Sequence, residues 1–326
     1  MFKKLKEKFL NKKAKSDAEQ STEYLGQEKI TSLIFRQSLP AIIGQLVMAL
    51  YNFVDRAFIG QKLGFDGLSA LTIILPAYLI ISSFGLALGI GASSIISRGL
   101  GEKKFEKVNQ VFGTSQLIII LSSLLLVIIS FFFQDQILTL FGASENNLRL
   151  CEDYFSIVLF GQVFGCFMFA NTAIIRAIGD TKSVMIINII SALINVILDY
   201  VFIFPCDRGI KGAARATVIS QIVAVLCILY YYCYSQKVIT LSRKYCKIHK
   251  DYFKEIFLLG IPAFFRQIVG SIMMMLVNNF LGSYGETELG EKGGDAAISA
   301  CGIAQGLIVF FLTPIFGITQ GIAPII

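Results

Sequence analysis

The sequence predicts an all-α protein that crosses a membrane several times, and three observations carry that reading. Only 16% of the 326 residues are charged, where soluble domains carry about 25%. The charges crowd into connecting segments and leave eight apolar runs of about 20 residues, the length a helix needs to cross roughly 30 Å of hydrocarbon. The runs are apolar on every face, whereas spanning strands would alternate polar and apolar residues.

Taken in order, residues 1–36 form a polar, Lys-rich arm (Lys3, Lys4, Lys6, Lys8, Lys12, Lys13, Lys15), with no cleavable signal peptide. The first span, 39–60, opens at Pro40, which a first helical turn tolerates, and closes at Gly60. The second, 71–97, carries Gly85, Gly89 and Gly91, small residues that let helices approach closely, and stops at Arg98. The third, 110–133, ends before Gln134 and Asp135, and the fourth, 152–175, ends at Arg176. The fifth, 184–205, closes on Pro205, and the sixth, 213–234, precedes Lys237. The seventh, 256–281, holds Pro262 near its start, and the eighth, 297–322, carries Gly317 and Gly321. Spans 1–6 make one unit over 37–235, a basic connection occupies 236–255, and a second unit begins at 256–326.

Loop charge sets the orientation. The arm, the second loop (Arg98, Lys103, Lys104, Lys107), the fourth (Arg176, Lys182) and the sixth (Lys237, Arg243, Lys244, Lys247, Lys250, Lys254) are basic. The third (Asp135, Glu145) and seventh (Glu286, Glu288, Glu291, Asp295) are acidic. The positive-inside rule then puts the N-terminus in the cytoplasm of a multi-pass protein. One loop disagrees: Asp207, Arg208, Lys211 and Arg215 make the fifth connection basic although parity puts it outside. The net charge of +7 follows this alternation, which argues against a nucleic-acid partner. The seven cysteines lack C-x-x-C spacing and read as small buried hydrophobes, and a single histidine, His249, cannot build a His-based metal site.

The chain also repeats itself. Pro40 and Ile59-Gly60 recur as Pro262 and Leu281-Gly282, 222 residues on. Ser69-Ala70 and Gly91 recur as Ser299-Ala300 and Gly321, 230 residues on. Span 7 is thus a second copy of span 1 and span 8 of span 2. Six intervening helices make the repeats parallel, related by an axis along the membrane normal. Only two helices of the second copy are present, so the sequence reads as part of a protein with about twelve spans, and the segment alone is expected to be inactive in transport.

Depth singles out the chemistry. Asp55 and Asp199 lie inside spans, where a carboxylate costs about 2.5–3.5 kcal/mol on insertion scales and usually marks an ion or proton path. Both sit roughly 8–9 Å below the outer ends of their helices. Asn195 lies one turn from Asp199 on the same face, Tyr51 one turn from Asp55, and Thr217 reaches the same level from span 6. Asn171 enters near the other end. Such oxygens can ligate a cation or share protons. Each has a plainer alternative: an interfacial acid at Asp199, a pair with Arg56 at Asp55, interhelical bonding at Asn195, a backbone bond at Thr217 and an interfacial ring at Tyr51. Arg266 is expected to snorkel to the cytoplasmic face. Met273, Met274 and Met275 suit either a pliable pocket or ordinary packing.

The runs PAIIGQLVMALYNFVDRAFIG (40–60), RAIGDTK (176–182), Asn195 to Thr217 with GAARAT (212–217), and TPIFGITQGIAPII (313–326) resemble the multidrug and toxic compound extrusion family, most of all its MepA-type bacterial branch. The resemblance covers about residues 30–326. It implies a complete six-helix N-lobe, the first two helices of a C-lobe, and a central cavity between lobes. It further implies antiport of H⁺ or Na⁺ against lipophilic, often cationic drugs across a bacterial plasma membrane, by a monomer needing no cofactor beyond the coupling ion. The family's N-lobe cation site implies roles for Asp55, Asn195, Asp199 and Thr217, with Tyr51 and Asn171 nearby and any Na⁺ at Asp55/Asp199. Asn52, Gln45, Gln162, Gln267, Asn278 and Met274 are candidates for the drug cavity. Residues 256–285 hold no acid within the membrane, so a second site on span 7 is not expected. A lipid-linked oligosaccharide flippase is the alternative; it should show several cavity arginines, and only Arg56 and Arg266 are candidates. An integral-membrane enzyme would want clustered Asp or His to hold a metal.

Overall fold

The computed structural model describes residues 29–144, 147–235, 239, 244–290 and 292–322. The arm up to residue 28, Glu145, Lys237, Arg243, Glu291 and the last four residues of the final motif lie outside the described residues.

Helix runs from Ile30 to Gly101 with one break, at Gly64 (φ 63°, ψ −145°). That left-handed conformation suits a residue without Cβ. It turns the chain back on itself: a Cβ on Gly67 would touch Ile59 and Leu63, although residues eight apart in a continuous helix lie roughly 12 Å apart. The run is therefore two antiparallel helices, α1 (30–63) and α2 (65–101). They are followed by α3 (Phe105–Phe132), α4 (Gln134–Leu140), α5 (Leu148–Ala177), α6 (Thr181–Ile203), α7 (Gly209–Tyr230), α8 (Lys250–Leu289) and α9 (Gly293–Ile322). All but the short α4 are long and apolar enough to cross a membrane, giving a multi-pass, all-α membrane protein.

Several ends differ from expectation. The first connection, expected over ten residues, is a single glycine, because Gly64 alone reverses the chain. The third loop contains α4, held down by fully buried Leu138. α8 begins at Lys250 and continues through Glu286 and Glu288, so most of the acidic seventh loop is helix. α1 starts at Ile30, inside the segment assigned to the arm. Of the cysteines, Cys151 and Cys166 are buried, but Cys206, Cys233 and Cys246 are exposed, because they lie at helix ends and in a connection.

The glycines of α2 pack helices, as their spacing requires. A Cβ at Gly85 would overlap the Cys166 backbone and one at Gly89 that of Ala170, fixing α2 on α5. At the N-cap of α6, Asp180 accepts from the Ser183 amide at 3.0 Å, satisfying one of the orphan donors of a helix start.

Contacts between the two copies occur in reciprocal pairs. Gly91 packs on Gly260, and its counterpart Gly321 packs on Ser38, the counterpart of Gly260. Ser69 donates to Asp295 at 3.2 Å, while Ser299 donates to the Phe65 carbonyl at 2.7 Å. Arg56 donates to the Gly302 carbonyl at 2.8 Å, while Asn278 donates to the Thr72 carbonyl at 3.3 Å. Under the offsets of 222 and 230, each contact maps onto its partner. Thr72 and Gly302, equivalent positions, touch each other, so the two-fold axis passes between them.

Candidate functional site

Three helices, α1, α6 and α7, deliver polar side chains near one end of the bundle. Asp55 is eight residues from the end of α1, Asn195 eight from the end of α6, and Thr217 eight from the start of α7. Each is thus roughly 12 Å from that end of the bundle, and Asp199, four residues from the end of α6, is roughly 6 Å from it. The two acids therefore do not share the depth expected from the sequence, because α1 runs on to the break at Gly64 and α6 stops at Ile203. Helices entering in opposite directions reach this depth from residues far apart in sequence.

Asp55 and Asp199 are buried and within electrostatic reach of each other. Asp55 Oδ1, both Asp199 oxygens and both polar atoms of the Asn195 amide have no hydrogen-bond partner among the described residues. Buried polar groups are normally paired, and an unmet one is costly. Arg56 lies within electrostatic reach of Asp55, but its guanidinium donates to the Gly302 carbonyl, since neighbours in a helix point in different directions. A cavity of about 310 Å³ opens beside the acids, and Tyr51, Asp55, Tyr78, Tyr154 and Thr217 line it. Tyr154 reaches the Thr217 side chain and also feels both acids. Tyr78 accepts a hydrogen bond from Gln221 Nε2 at 3.2 Å. The available donor set is therefore oxygen only: two carboxylates, one amide and hydroxyls. That chemistry fits a proton or a hard monovalent cation.

Tyr78 and Tyr154 were not singled out by the sequence reading. Tyr154 lies six residues, roughly 9 Å, into α5, and depth would have found it had the fourth span been started at Leu148 instead of residue 152. Asn171 does not join the group. It lies 23 residues into α5, near the opposite end, and donates to Gln116 of α3 at 3.0 Å and to the Phe167 carbonyl.

A second cavity of about 450 Å³ lies between the copies, lined by Asn52, Phe53, Arg56, Leu79, Met274 and Val309 among others. Asn52 and Arg56 border both cavities. Gln45 lines the smaller one and donates to Gln320 at 2.8 Å. The remaining cavity candidates fall elsewhere. Gln162 is buried behind Tyr78, donating to the Tyr78 carbonyl and Ser82. Asn278 is spent on Thr72, and half-buried Gln267 lines neither cavity. Arg266 is exposed, so among the described residues Arg56 is the arginine that lines the cavities.

A family model described as MatE matches residues 40–201. The multidrug export protein MepA of Staphylococcus aureus is 30% identical over 303 residues, covering 93% of this chain and 65% of that protein. MepA of Staphylococcus haemolyticus is 31% identical over the same length and shares. A solved structure of the MATE multidrug transporter DinF-BH, in complex with a ligand, matches with a TM-score of 0.86 at 36% identity, over 92% of this chain and 66% of that one. The chain thus spans about 65% of the length of the curated relatives it matches. With its motifs, its two-fold contacts and these likenesses in agreement, the chain belongs to the multidrug and toxic compound extrusion family.

Proposed function

We propose that the protein is a secondary multidrug antiporter of a bacterial plasma membrane, exporting amphipathic, often cationic compounds in exchange for H⁺ or Na⁺. The observation that carries this reading is the set of buried, unpartnered oxygens on Asp55, Asp199 and Asn195, next to a cavity that Asp55 and Thr217 line. Asp55 and Asp199 hold the coupling ion. Asn195 and Thr217 supply neutral oxygens, and Tyr51 and Tyr154 close the site. A charged acid pair in hydrocarbon is expensive, so loading with a proton or Na⁺ favours whichever conformation buries it, and unloading favours another. Drug binding biases the same equilibrium the other way. Exchange requires only that ion and drug differ in their affinities for the two states.

Asn52, Gln45 and Met274 are the cavity residues placed to meet the drug. The relatives' names support the substrate class: MepA is a multidrug export protein, and DinF-BH is a MATE multidrug transporter. The N-terminus faces the cytoplasm on the charge pattern, the bilayer is the main partner, and a monomer suffices because both cavities form within one chain.

In vesicles carrying the protein with the remaining helices of its second copy, and loaded with a fluorescent cationic dye, an imposed pH gradient or an imposed Na⁺ gradient should drive export. Export that ignores both gradients refutes antiport.

A further inference from the structure

The basic fifth connection, out of place by loop charge, makes two ion pairs. Lys211 pairs with Asp153 at 3.0 Å, and Lys62, from the same end of the bundle, pairs with Asp207 at 2.7 Å. The Lys62 ammonium holds the Asp207 carboxyl below the usual carboxylate range. Arg208 and Arg215 have no side-chain ion-pair or hydrogen-bond partner among the described residues. Of the two, Arg215 lines a groove of about 300 Å³ between α5, α6 and α7, with Ser156, Phe160, Phe202, Val218 and Ile219. Phe160 is 65% and Ile219 36% exposed, so the groove opens outward, away from both cavities. Apart from Arg215 and Ser156 its walls are apolar.

Depth tells what such a groove meets. Arg215 is six residues, roughly 9 Å, from the start of α7. The headgroup layer is about 5–7 Å thick on each side of the hydrocarbon. The guanidinium, on a stem long enough to snorkel, therefore sits at the boundary where lipid phosphates lie. A planar guanidinium binds phosphate through paired N–H bonds. Deeper than Arg215, Phe160, Val218 and Ile219 offer an acyl chain the contact it prefers, while Phe202 stands at the end of α6, nearer the headgroups.

We propose that this groove binds one phospholipid with an anionic headgroup, its phosphate on Arg215 and an acyl chain along Phe160, Val218 and Ile219. A free anion would have no use for the apolar walls. The site is independent of the acid pair and of the transport reading, since it lies on the outer surface of α5, α6 and α7.

The test counts lipids on the purified chain in neutral detergent by native mass spectrometry during titration with phosphatidylglycerol or phosphatidylcholine. Wild type should retain one phosphatidylglycerol in preference to phosphatidylcholine. Arg215→Gln should weaken that binding about fivefold, the effect of one basic residue at a lipid surface. Arg215→Lys should keep part of it, and Arg208→Gln should change nothing. Val218→Phe, which fills the groove and leaves the guanidinium, should lose the lipid as well, and it decides the matter if Arg215→Gln does not fold. Wild-type binding by both Arg215→Gln and Val218→Phe overturns the proposal, as does equal retention of the two lipids. Displacement of the lipid by millimolar inorganic phosphate would overturn it too, by showing an anion site without lipid specificity.

Discussion

Asp55 and Asp199 sit where a carboxylate should not be unless it works. Replacing either with Asn keeps the volume and removes the most expensive group in its span. In the full-length protein, Asp55→Asn and Asp199→Asn should therefore insert as well as wild type while dye efflux falls to background; normal efflux in both would remove these acids from the mechanism. The reciprocal bonds of Arg56 and Asn278 make a second residue-scale prediction. Arg56→Ala and Asn278→Ala each delete one of two topologically equivalent ties between the copies, at about 1.5–3 kcal/mol for the charge-assisted bond and about 0.5–1.5 kcal/mol for the amide, so thermal unfolding should fall in both and further in Arg56→Ala. A loss confined to one variant would mean that the ties are not equivalent. Much of the site was legible at this scale because helical rise converts sequence position into depth, which grouped Asp55, Asn195, Asp199 and Thr217. Arg56 was not legible. Its acceptor is a backbone carbonyl 246 residues away, and no pattern in side-chain type announces a carbonyl.

At the scale of elements, eight apolar runs were readable because lipid imposes composition on whole helices. Their ends were not, because a helix continues as long as its backbone bonds are met, whatever the polarity of its side chains. α8 thus runs on through Glu286 and Glu288, and residues expected to form a first loop are helix on both sides of Gly64. Gly64→Ala should cost about 1–2 kcal/mol, since a Cβ strains this left-handed backbone even with open space around it. Gly89→Val should cost at least as much, about 1–3 kcal/mol, because its side chain meets the Ala170 backbone and cannot displace it. Gly101→Ala meets nothing within 4 Å and should be neutral. Thermal unfolding in detergent reads all three, and a tolerated Gly89→Val would show that α2 and α5 are not held by backbone approach.

The whole molecule has two ends, and the contacts sort every connection to one of them. Lys62, Asp66, Asp207 and Lys292 share one end, and Arg98, Glu255, Gln37 and Gly179 share the other. The repeat read from Pro40, Ser69 and Gly91 foretold this arrangement, although the reciprocal bonds that realise the axis were beyond a sequence pattern. On the proposed orientation, argued from loop charge, the second end is cytoplasmic. Cysteines introduced at 290 should therefore react with impermeant thiol reagents added outside intact cells, and cysteines at 245 should not; the opposite labelling would invert the protein. The central claim is that the acid pair, shared by α1 and α6, is where a coupling ion enters. Ion binding to the purified protein tests this without requiring transport. Uptake of protons after a pH jump, or of radioactive sodium at fixed pH, should be saturable in wild type and absent in Asp55→Asn and Asp199→Asn. Unchanged uptake of both ions by both variants would contradict the account.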